Sequence, residues 1–301
     1  MTETVDCLIV GGGPAGLTAA VYLGRFRRRA VLVDGGWSRA EWITLSHNLG
    51  GFPDGIAGPA YLDLLRRQAQ GYGCTPEKGY VTALRQRDDG IFVADLAGRT
   101  ITARKVILAT GVVENKPSVP HLADAVKRGV IRTCPICDGY ESIGKRIAVL
   151  GHDPHAAAEA LFLRTYVSAL TLLLVGDAPL PAETEAALAA AGIAVLRIDA
   201  TALEMEEHGV ALVTAADGAR HPFDAVYTAF GTTAQTQLAA ALGARMDEAG
   251  RLYVGAHQET SVSGLYAAGD LVRGLSQISV ANGEAAIAAT AVHNALPHVP
   301  A

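Results

Sequence analysis

Apolar and glycine-rich segments alternate along the chain, and their pattern predicts buried strands that pass through tight turns into helices. The first apolar run, Cys7 to Val10, is followed by a glycine cluster and then by an alanine-rich stretch that reaches Leu23. A second apolar run, "RAVLVDGG", carries Asp34 near its end. A strand, a tight turn, a helix and a second strand in this order are typical of a Rossmann-type unit.

The glycine cluster of the first turn indicates a dinucleotide site. Gly11 permits the turn, Gly13 lets a pyrophosphate approach the backbone, and Gly16 lets the helix pack closely on the strand. The helix N-terminus would then face the phosphates, and Asp34 is suitably placed for a ribose hydroxyl. The alternative is that these glycines form an ordinary tight turn. The second strand, with Asp34 at its end, favours the dinucleotide site instead.

Three later segments fit the same site. "VILATG" (residues 106–111) predicts a buried strand that ends in a turn of small residues, and "TSVSGLYAAGD" (260–270) predicts a strand that runs into an acidic turn. "SQISVANGEAAIAATAVHNAL" then predicts a long alanine-rich helix, whose first N–H groups have no partner within the helix. Together with the first turn, these segments predict one FAD site.

The middle of the chain predicts a second strand-helix-strand unit. Apolar runs and glycine turns recur between Lys145 and Gly231, and the helical stretch "HAAAEALFLRTY" follows the first run. Pro117 and Pro120 mark the entry to this unit, and residues 243–250 mark its exit. The runs are "KRIAVLG", "LTLLLVG", "GIAVLRI", "GVALVTA" and "DAVYTAFG".

Length and composition narrow the possible functions. A chain of 301 residues is expected to form two domains, and its net charge of −5 argues against broad nucleic-acid binding. Its four cysteines are too few for a secreted disulfide scaffold of this length. No apolar run approaches the ~20 residues of a membrane span, and the acidic N-terminus lacks a signal segment. We therefore expect a soluble cytoplasmic protein.

Some polar residues have both a structural and a functional interpretation. The basic cluster after the first helix is either a solvated helix end, which the helix dipole favours, or a docking patch for an acidic protein. His47 and His293 are either structural residues or acid–base groups near a flavin. The basic cluster consists of Arg25, Arg27, Arg28 and Arg29.

"TCPICDGYE" (residues 133–141) holds two cysteines in CxxC spacing. A zinc site usually needs two further ligands, and the nearest candidates, His121 and His152, are isolated. A structural disulfide across two residues would close too small a loop to stabilise much. A redox pair is the favoured interpretation, because thiols in this spacing depress one another's pKa and the thiolate is the reactive form.

In this order, the glycine motif, "HNLGGFPDGIAG", the "ATG", the "CPICDG" and the "AAGD" with its helix resemble the low-molecular-weight thioredoxin reductases over nearly the whole chain. The resemblance implies an α/β fold of two Rossmann-like three-layer domains, the second inserted into the first, and a homodimer. It places the FAD domain at 1–115 and 246–301 and a nicotinamide-binding-like domain with the CxxC at 117–243. The implied FAD contacts are Gly11, Gly13, Pro14, Ala15, Gly16, Asp34, Asn48, Thr110, Gly111, Gly269, Asp270, Gln277 and Ile278.

The same resemblance assigns roles around the CxxC. Cys137 would exchange electrons with FAD, Cys134 would meet the partner, and Asp138 would carry a proton to or from the departing thiol. The partner would be a thioredoxin-like protein or a small dithiol or disulfide. Asp138 could instead be a turn residue or a helix cap. Cys7 is interpreted as a small buried hydrophobe, and Cys74 is assigned no role.

The chain departs from this family where NADPH should bind. In "VLGHDPHAAAEA", Gly151 and Ala156 persist, but Asp153 stands in place of the middle glycine and Pro154 removes an N–H donor. No arginine or lysine lies between Leu170 and Ala191 to hold a 2′-phosphate. We therefore expect inefficient use of NADPH.

The sequence is compatible with several functions. The favoured one is an FAD-dependent thiol–disulfide oxidoreductase with an impaired nicotinamide site. One alternative is an NADPH-dependent thioredoxin reductase; others are a dithiol oxidase of the gliotoxin and holomycin type, which passes electrons to oxygen, and a relative fed by ferredoxin or a flavin carrier. Asp138 after the dithiol favours reductase-like chemistry. A flavin-bound redox sensor without turnover is the alternative that is not an enzyme.

Overall fold

The computed structural model describes residues 4–117, 122–199, 202–206, 209–213 and 219–298, so the predicted markers Pro120 and His121 lie outside the described residues. The helices within these ranges are α1 (Pro14–Arg25), α2 (Gly58–Gly71), α3 (Leu122–Lys127), α4 (Pro135–Asp138), α5 (Pro154–Leu163), α6 (Ala182–Ala190), α7 (Gln237–Ala241) and α8 (Ile278–Asn294). The strands are β1 (Val5–Val10), β2 (Ala30–Asp34), β3 (Glu77–Lys78), β4 (Val81–Gln86), β5 (Phe92–Leu96), β6 (Arg99–Leu108), β7 (Val112–Glu114), β8 (Ile131–Arg132), β9 (Arg146–Gly151), β10 (Ala169–Val175), β11 (Ala194–Ile198), β12 (Leu203–Glu206), β13 (Gly209–Val213), β14 (Arg220–Phe223), β15 (Ala225–Ala229), β16 (Thr232–Ala234) and β17 (Leu265–Ala267).

The first sheet has the order β3-β2-β1-β6-β5-β4, and β17 also pairs with β6. Its centre is parallel, whereas β4 and β5 add an antiparallel edge. Helices α1, α2 and α8 cover one face, and α7 and the segment that contains Leu252 cover the other. Both faces are therefore buried, which is why β1 from Cys7 onward and the end of β6 are continuously apolar rather than alternating.

The second sheet has the order β11-β10-β9-β15-β8, and each of its strand pairs is parallel. Helices α5 and α6 pack on one face, while α3 and the antiparallel sheet β12-β13-β14 cover the other. Residues 209–213 of the run "GVALVTA" form β13 of that small sheet rather than part of the parallel sheet, because they pair with β12 and β14; residues 214 and 215 lie outside the described residues. A mixed sheet with a parallel centre and a fully parallel sheet, both with covered faces, form the predicted α/β architecture.

The chain passes between the two sheets at two points that lie side by side. Strand β7 leaves the first sheet and β16 returns to it, and they pair antiparallel with Glu114 beside Thr232. Helix α7 follows β16 and buries Ala239 in the core of the first sheet, although the expected boundary placed residues up to 243 in the inserted domain. The boundaries 1–115, 117–243 and 246–301 stay a prediction; this packing favours a second boundary near residue 235.

The basic cluster after α1 does not fit either predicted interpretation as a whole, because Arg28 is buried. Its guanidinium donates to the carbonyl oxygens of His293, Leu296 and Pro297, at the C-terminal end of α8, and to Nδ1 of His293. A cation at a helix C-terminus satisfies free carbonyls and interacts favourably with the helix dipole. Arg28 and His293 are therefore structural residues that join α1 to α8.

Candidate active site

The first glycine loop leaves room for a ligand on one side only. A Cβ at Gly11, which has φ +117°, would lie 2.2 Å from the carbonyl oxygen of Ala109, and a Cβ at Gly16 would lie 1.8 Å from the oxygen of Gly11. These two glycines thus hold β1, β6 and α1 together. Gly13 faces open space, since within 4 Å its Cβ would meet only Ser38 Oγ at 3.4 Å.

Asp34 lies over this loop at the end of β2. Its carboxylate accepts a hydrogen bond from the backbone N–H of Gly36 at 2.8 Å, which fixes the turn after the strand. A Cβ at Gly12 would lie 2.1 Å from the carboxyl carbon of Asp34. Gly12 is therefore also required in the loop, a residue that the spacing rule for dinucleotide motifs did not single out.

The turn at Gly269 and Asp270 closes the other side of the loop. Gly269 has φ +89°, and its Cβ would lie 3.1 Å from that of Ala15 in α1. The N–H of Gly269 donates to Glu284 of α8 at 2.7 Å. Burial raises the pKa of Glu284, and the bond from Gly269 only partly offsets that rise. Glu284 thus anchors the turn to the helix, which sequence reasoning missed.

Arg39 bridges two acidic residues beside the same loop. Its guanidinium pairs with Glu114 of β7 and, through Nη1, with Oδ2 of Asp270 at 3.2 Å. The three side chains are largely buried, and their contacts connect the segment after β2, the exit strand β7 and the acidic turn. None of the sequence patterns predicted this cluster.

The residues present fit the adenine dinucleotide part of FAD. An open glycine face, a helix N-terminus that begins at Pro14, and the Asp34 carboxylate meet in one place, which suits a pyrophosphate and a ribose. Thr110 and Gly111 lie on the crossing from β6 to β7, where the Thr110 hydroxyl donates to the carbonyl of Gln235 at 2.5 Å.

The two cysteines of the CxxC form a disulfide, Cys134–Cys137. It lies in the short helix α4, directly after β8. Cys134 is the N-cap of that helix, and its Sγ accepts a hydrogen bond from the backbone N–H of Cys137 at 3.2 Å. Among the residues that the structure describes, no group of three or more His, Cys, Asp or Glu side chains could hold a metal ion.

Gln277, at the start of α8, lies against this disulfide. Its Nε2 is 3.6 Å from the Sγ of Cys134 and 3.6 Å from the Sγ of Cys137. The amide of Asn48 donates to Gln277 Oε1 at 3.0 Å, so the Gln277 NH₂ group is the end that faces the sulfurs. Asn48 and Gln277 come from the first sheet's layer, and the disulfide comes from the second. Ile278, the next residue, is the first of α8.

Asp138 follows the second cysteine, and its carboxylate is held by two polar side chains. The Tyr227 hydroxyl donates to its Oδ1 at 2.6 Å, and Arg132 Nη1 lies 3.6 Å from its Oδ2. Burial raises the pKa of Asp138, and the Tyr227 hydrogen bond and the Arg132 charge lower it by less. A carboxyl group with a raised pKa can hold a proton at a pH where an exposed aspartate has lost it.

In the glycine loop of the second sheet, the Asp153 carboxylate caps the helix N-terminus. Asp153 is the N-cap of α5, and its Oδ1 accepts from the N–H groups of His155 at 3.1 Å and Ala156 at 3.3 Å. A Cβ at Gly151 would lie 2.3 Å from that of Ala156, so the tight strand–helix contact persists. The Asp153 carboxylate thus occupies the donors that a pyrophosphate would use.

A cation does reach the loop after β10, although the stretch from Leu170 to Ala191 contains none. Arg197, on the neighbouring strand β11, donates from Nη1 to the carbonyl oxygens of Gly176 at 3.0 Å and Ala178 at 3.1 Å. The sequence argument considered only the strand and its own loop, so it did not identify Arg197.

The remaining candidates are two buried thiols and one exposed histidine. Cys7 and Cys74 are buried free thiols, and burial raises the pKa of each, so both are poor nucleophiles. The ring of His47 packs beside Gly55, whose Cβ would lie 2.9 Å from it.

The model of the pyridine nucleotide-disulphide oxidoreductase family matches residues 5–285 of the chain. The chain belongs to this family. Members of the pyridine nucleotide-disulphide oxidoreductase family are FAD-binding oxidoreductases. The family, the oxidoreductase class, the two-domain Rossmann-type fold and the FAD cofactor predicted from the sequence are therefore confirmed.

Individual relatives agree with this assignment. A thioredoxin reductase of Pneumocystis carinii is 35% identical over 181 residues, which make up 56% of this chain and 55% of that protein. The chain spans about half the length of the curated relatives it matches. Over whole chains, the structure of HlmI is 28% identical with a TM-score of 0.89, covering 98% of this chain and 93% of its own. An oxidoreductase from Agrobacterium tumefaciens is 30% identical with a TM-score of 0.82, covering 97% and 98%.

Proposed function

We propose that this protein is an FAD-dependent, thioredoxin-reductase-like thiol–disulfide oxidoreductase in which Cys134 and Cys137 exchange electrons with FAD and with a partner disulfide or dithiol. The observation that supports this most directly is the position of the disulfide against the start of α8, with the Gln277 amide 3.6 Å from both sulfurs. When bound, FAD supplies a two-electron acceptor or donor. The residues expected to hold it are those of the first glycine loop, Asp34 and the Gly269–Asp270 turn.

A partner dithiol reduces the Cys134–Cys137 disulfide in two exchange steps. A partner thiolate attacks Cys134 Sγ, the Cys134–Cys137 bond breaks, and Cys137 leaves as a thiolate that takes a proton from Asp138. The second partner thiol then attacks the partner's sulfur in the mixed disulfide and releases the Cys134 thiolate. The backbone N–H of Cys137, 3.2 Å from the Cys134 Sγ, stabilises that thiolate. The partner dithiol loses two electrons and two protons. The cysteine pair gains both electrons, and Cys137 gains one proton through Asp138, which regains it from the partner's second thiol. The proton of the first partner thiol passes to solvent, and Cys134 stays a thiolate.

We also propose that NADPH is used inefficiently. The Asp153 carboxylate accepts hydrogen bonds from the N–H groups of His155 at 3.1 Å and Ala156 at 3.3 Å. A pyrophosphate would have to displace this carboxylate and would be repelled by it. Arg197 supports the alternative, an NADPH-dependent thioredoxin reductase, because its guanidinium lies beside the loop after β10. However, that guanidinium donates to two backbone carbonyls, and a 2′-phosphate would have to compete with them.

The partner is proposed to be a thioredoxin-like protein or a small dithiol or disulfide. Apolar side chains flank the disulfide and are exposed: Ile136 by 48%, Tyr140 by 72% and Ile143 by 55%. Such a surface suits a partner whose reactive sulfur is surrounded by apolar side chains. A homodimer and a cytoplasmic location are further parts of this proposal. No helix within the described ranges is long and apolar enough to cross a membrane.

Stopped-flow reduction of the oxidised, FAD-loaded protein by dithiothreitol, NADPH and NADH in parallel tests the proposal. Rapid reduction by dithiothreitol and slow reduction by both nucleotides are expected. Rapid, saturable reduction by micromolar NADPH would establish the thioredoxin reductase alternative. Repeated turnover with oxygen as the acceptor would favour a dithiol oxidase of the gliotoxin and holomycin type. A single stoichiometric reduction without reoxidation by any acceptor would favour a redox sensor.

A further inference from the structure

Tyr227 lies at the centre of the second sheet, with its side chain fully buried. It belongs to β15, whose parallel register places it beside Arg132 of β8. Neighbours in register project from the same face of a sheet, so the phenol and the guanidinium point to the same side. Because β8 ends at Arg132 and Cys134 follows two residues later, both side chains lie where the chain turns into the disulfide.

The hydrogen bonds around the phenol have a defined direction. The Tyr227 hydroxyl has one proton, and its nearest acceptor is Oδ1 of Asp138 at 2.6 Å. Arg132 Nη1 donates to the phenol oxygen at 3.3 Å, and Ser142 Oγ lies 3.0 Å from it. Arg132 also donates to the backbone oxygen of Asp138 at 3.2 Å. The proton of Tyr227 is therefore directed at the carboxylate, while Arg132 and Ser142 occupy the oxygen's lone pairs.

We propose that Tyr227 is the positioning residue for Asp138: its hydroxyl, 2.6 Å from Oδ1, fixes the orientation of the carboxylate on the residue that follows Cys137. The consequence for thiol–disulfide exchange rests on the acid role proposed above for Asp138. The hydrogen bond itself does not depend on that role.

Four polar or charged groups on three elements face Asp138. They are the phenol of Tyr227 on β15, the guanidinium of Arg132 on β8, and the side chains of Glu141 and Lys145 in the segment that follows α4. Burial raises the pKa of Asp138, Glu141 raises it further, and Tyr227, Arg132 and Lys145 lower it. Removing the Tyr227 hydroxyl takes away a hydrogen bond to a charged group, and Arg132 remains. The Asp138 pKa should therefore rise by about one unit.

The first readout is the titration of Asp138 in the FAD-loaded protein. Carboxyl ¹³C NMR of protein labelled at aspartate follows it, and the loss of a resonance in Asp138→Asn assigns it. In Tyr227→Phe we expect the Asp138 pKa to move upward by about one unit. Tyr266→Phe is the matched control, because Tyr266 is also a buried strand tyrosine but lies on β17 of the first sheet. An unchanged Asp138 pKa in Tyr227→Phe, or an equal shift in Tyr266→Phe, would overturn the proposal.

A second readout does not require Tyr227→Phe to fold. In unmodified protein labelled at tyrosine Cζ, the Tyr227 resonance should move when Asp138 titrates, and this movement should vanish in Asp138→Asn. A Tyr227 resonance that ignores the Asp138 titration would also overturn the proposal.

The pH dependence of disulfide reduction by dithiothreitol separates this proposal from the proposed function. It is followed by alkylation and mass spectrometry, with no need for the flavin signal. We expect the limb due to Asp138 to shift upward in Tyr227→Phe by the amount found by NMR, and to be absent both in Asp138→Asn and in the double variant. If the NMR shift is present but wild type and Asp138→Asn have the same profile, Tyr227 positions Asp138 and the acid role of Asp138 fails. A further effect of Tyr227→Phe in the Asp138→Asn background would mean that Tyr227 does not act through Asp138.

Discussion

Replacing Asp153 by glycine should open the α5 N-terminus to a phosphate while leaving the helix in place. Asp153 has φ −146° and ψ 177°, an extended conformation that any residue adopts, so glycine is accommodated without strain. Glycine at an N-cap position costs only about a few tenths of a kcal/mol relative to aspartate. The variant should therefore keep its fold and its FAD, and a change in nucleotide binding can be attributed to the loop.

The size of the effect follows from the two hydrogen bonds of the carboxylate. They hold the N–H groups of His155 and Ala156 at 3.1 and 3.3 Å. A charge-assisted contact between these donors and a phosphate is worth about 1.5–3 kcal/mol, and the carboxylate denies it. Since about 1.4 kcal/mol corresponds to a factor of ten, the Kd for NADPH should fall by roughly tenfold to a hundredfold in Asp153→Gly.

Calorimetric titration of the FAD-loaded protein with NADPH measures this directly, and stopped-flow reduction shows whether the bound nucleotide is productive. Asp153→Ser is the matched control, because serine still caps the helix but carries no charge. Its affinity should lie between those of wild type and Asp153→Gly. A second substitution, Val175→Arg, would supply a cation for the 2′-phosphate of NADPH. Arginine at Gly176 is not suitable, because this glycine has φ +84° and a side chain there would be strained.

Two results would refute this reasoning. Tight NADPH binding by the wild type would mean that the carboxylate moves aside at little cost. Equal affinity in wild type, Asp153→Ser and Asp153→Gly would mean that the α5 N-terminus takes no part in nucleotide binding at all.

Three further predictions concern the cofactor, the disulfide and the stability of the first layer. The purified protein should be yellow and carry about one FAD per chain, since the first loop, Asp34 and the Gly269 turn fit it; heat release of FMN, or of no flavin, would contradict this. Cys134→Ser should show a long-wavelength charge-transfer band from a flavin-proximal Cys137 thiolate, and Cys137→Ser should lose dithiol-to-flavin electron transfer; a band in Cys137→Ser instead would reverse the roles. Arg28→Met should lower the free energy of unfolding by about 2 kcal/mol, because three carbonyls and His293 lose a buried charged donor, whereas the exposed Arg25→Met should change it by less than about 0.5 kcal/mol in urea titrations.

The sequence was sufficient to predict the strands and turns that carry the glycine loops, because their signals are local. A parallel strand buried on both faces is a continuous apolar run, as in β9 and β10, and a glycine at a crowded turn admits no other residue. The cysteine pair was equally clear from the sequence, since its two residues lie three positions apart.

The partners of these residues could not be predicted, because strand register brings them together over long distances in the chain. Tyr227 and Asp138 are 89 residues apart, and a tyrosine inside "DAVYTAFG" has the pattern of a core residue. Arg197 reaches the loop after β10 from the next strand, and Arg39 meets Asp270 across 231 residues. Register is set by the packing of the whole sheet rather than by any single segment.

At the carboxyl edge of the second sheet, a side chain caps a helix N-terminus in two places, with opposite consequences. Strand β8 leads to Cys134, which caps α4 with its sulfur, and strand β9 leads to Asp153, which caps α5 with its carboxylate. A helix N–H group favours a negative charge wherever it points. At Asp153 the carboxylate accepts hydrogen bonds from the N–H groups of His155 and Ala156 and would repel a second anion. At Cys134 the charge forms only when the disulfide opens, so the same N–H stabilises the reactive thiolate. Under the proposed function, this edge therefore favours electron transfer through sulfur and disfavours delivery of electrons by a phosphorylated cofactor.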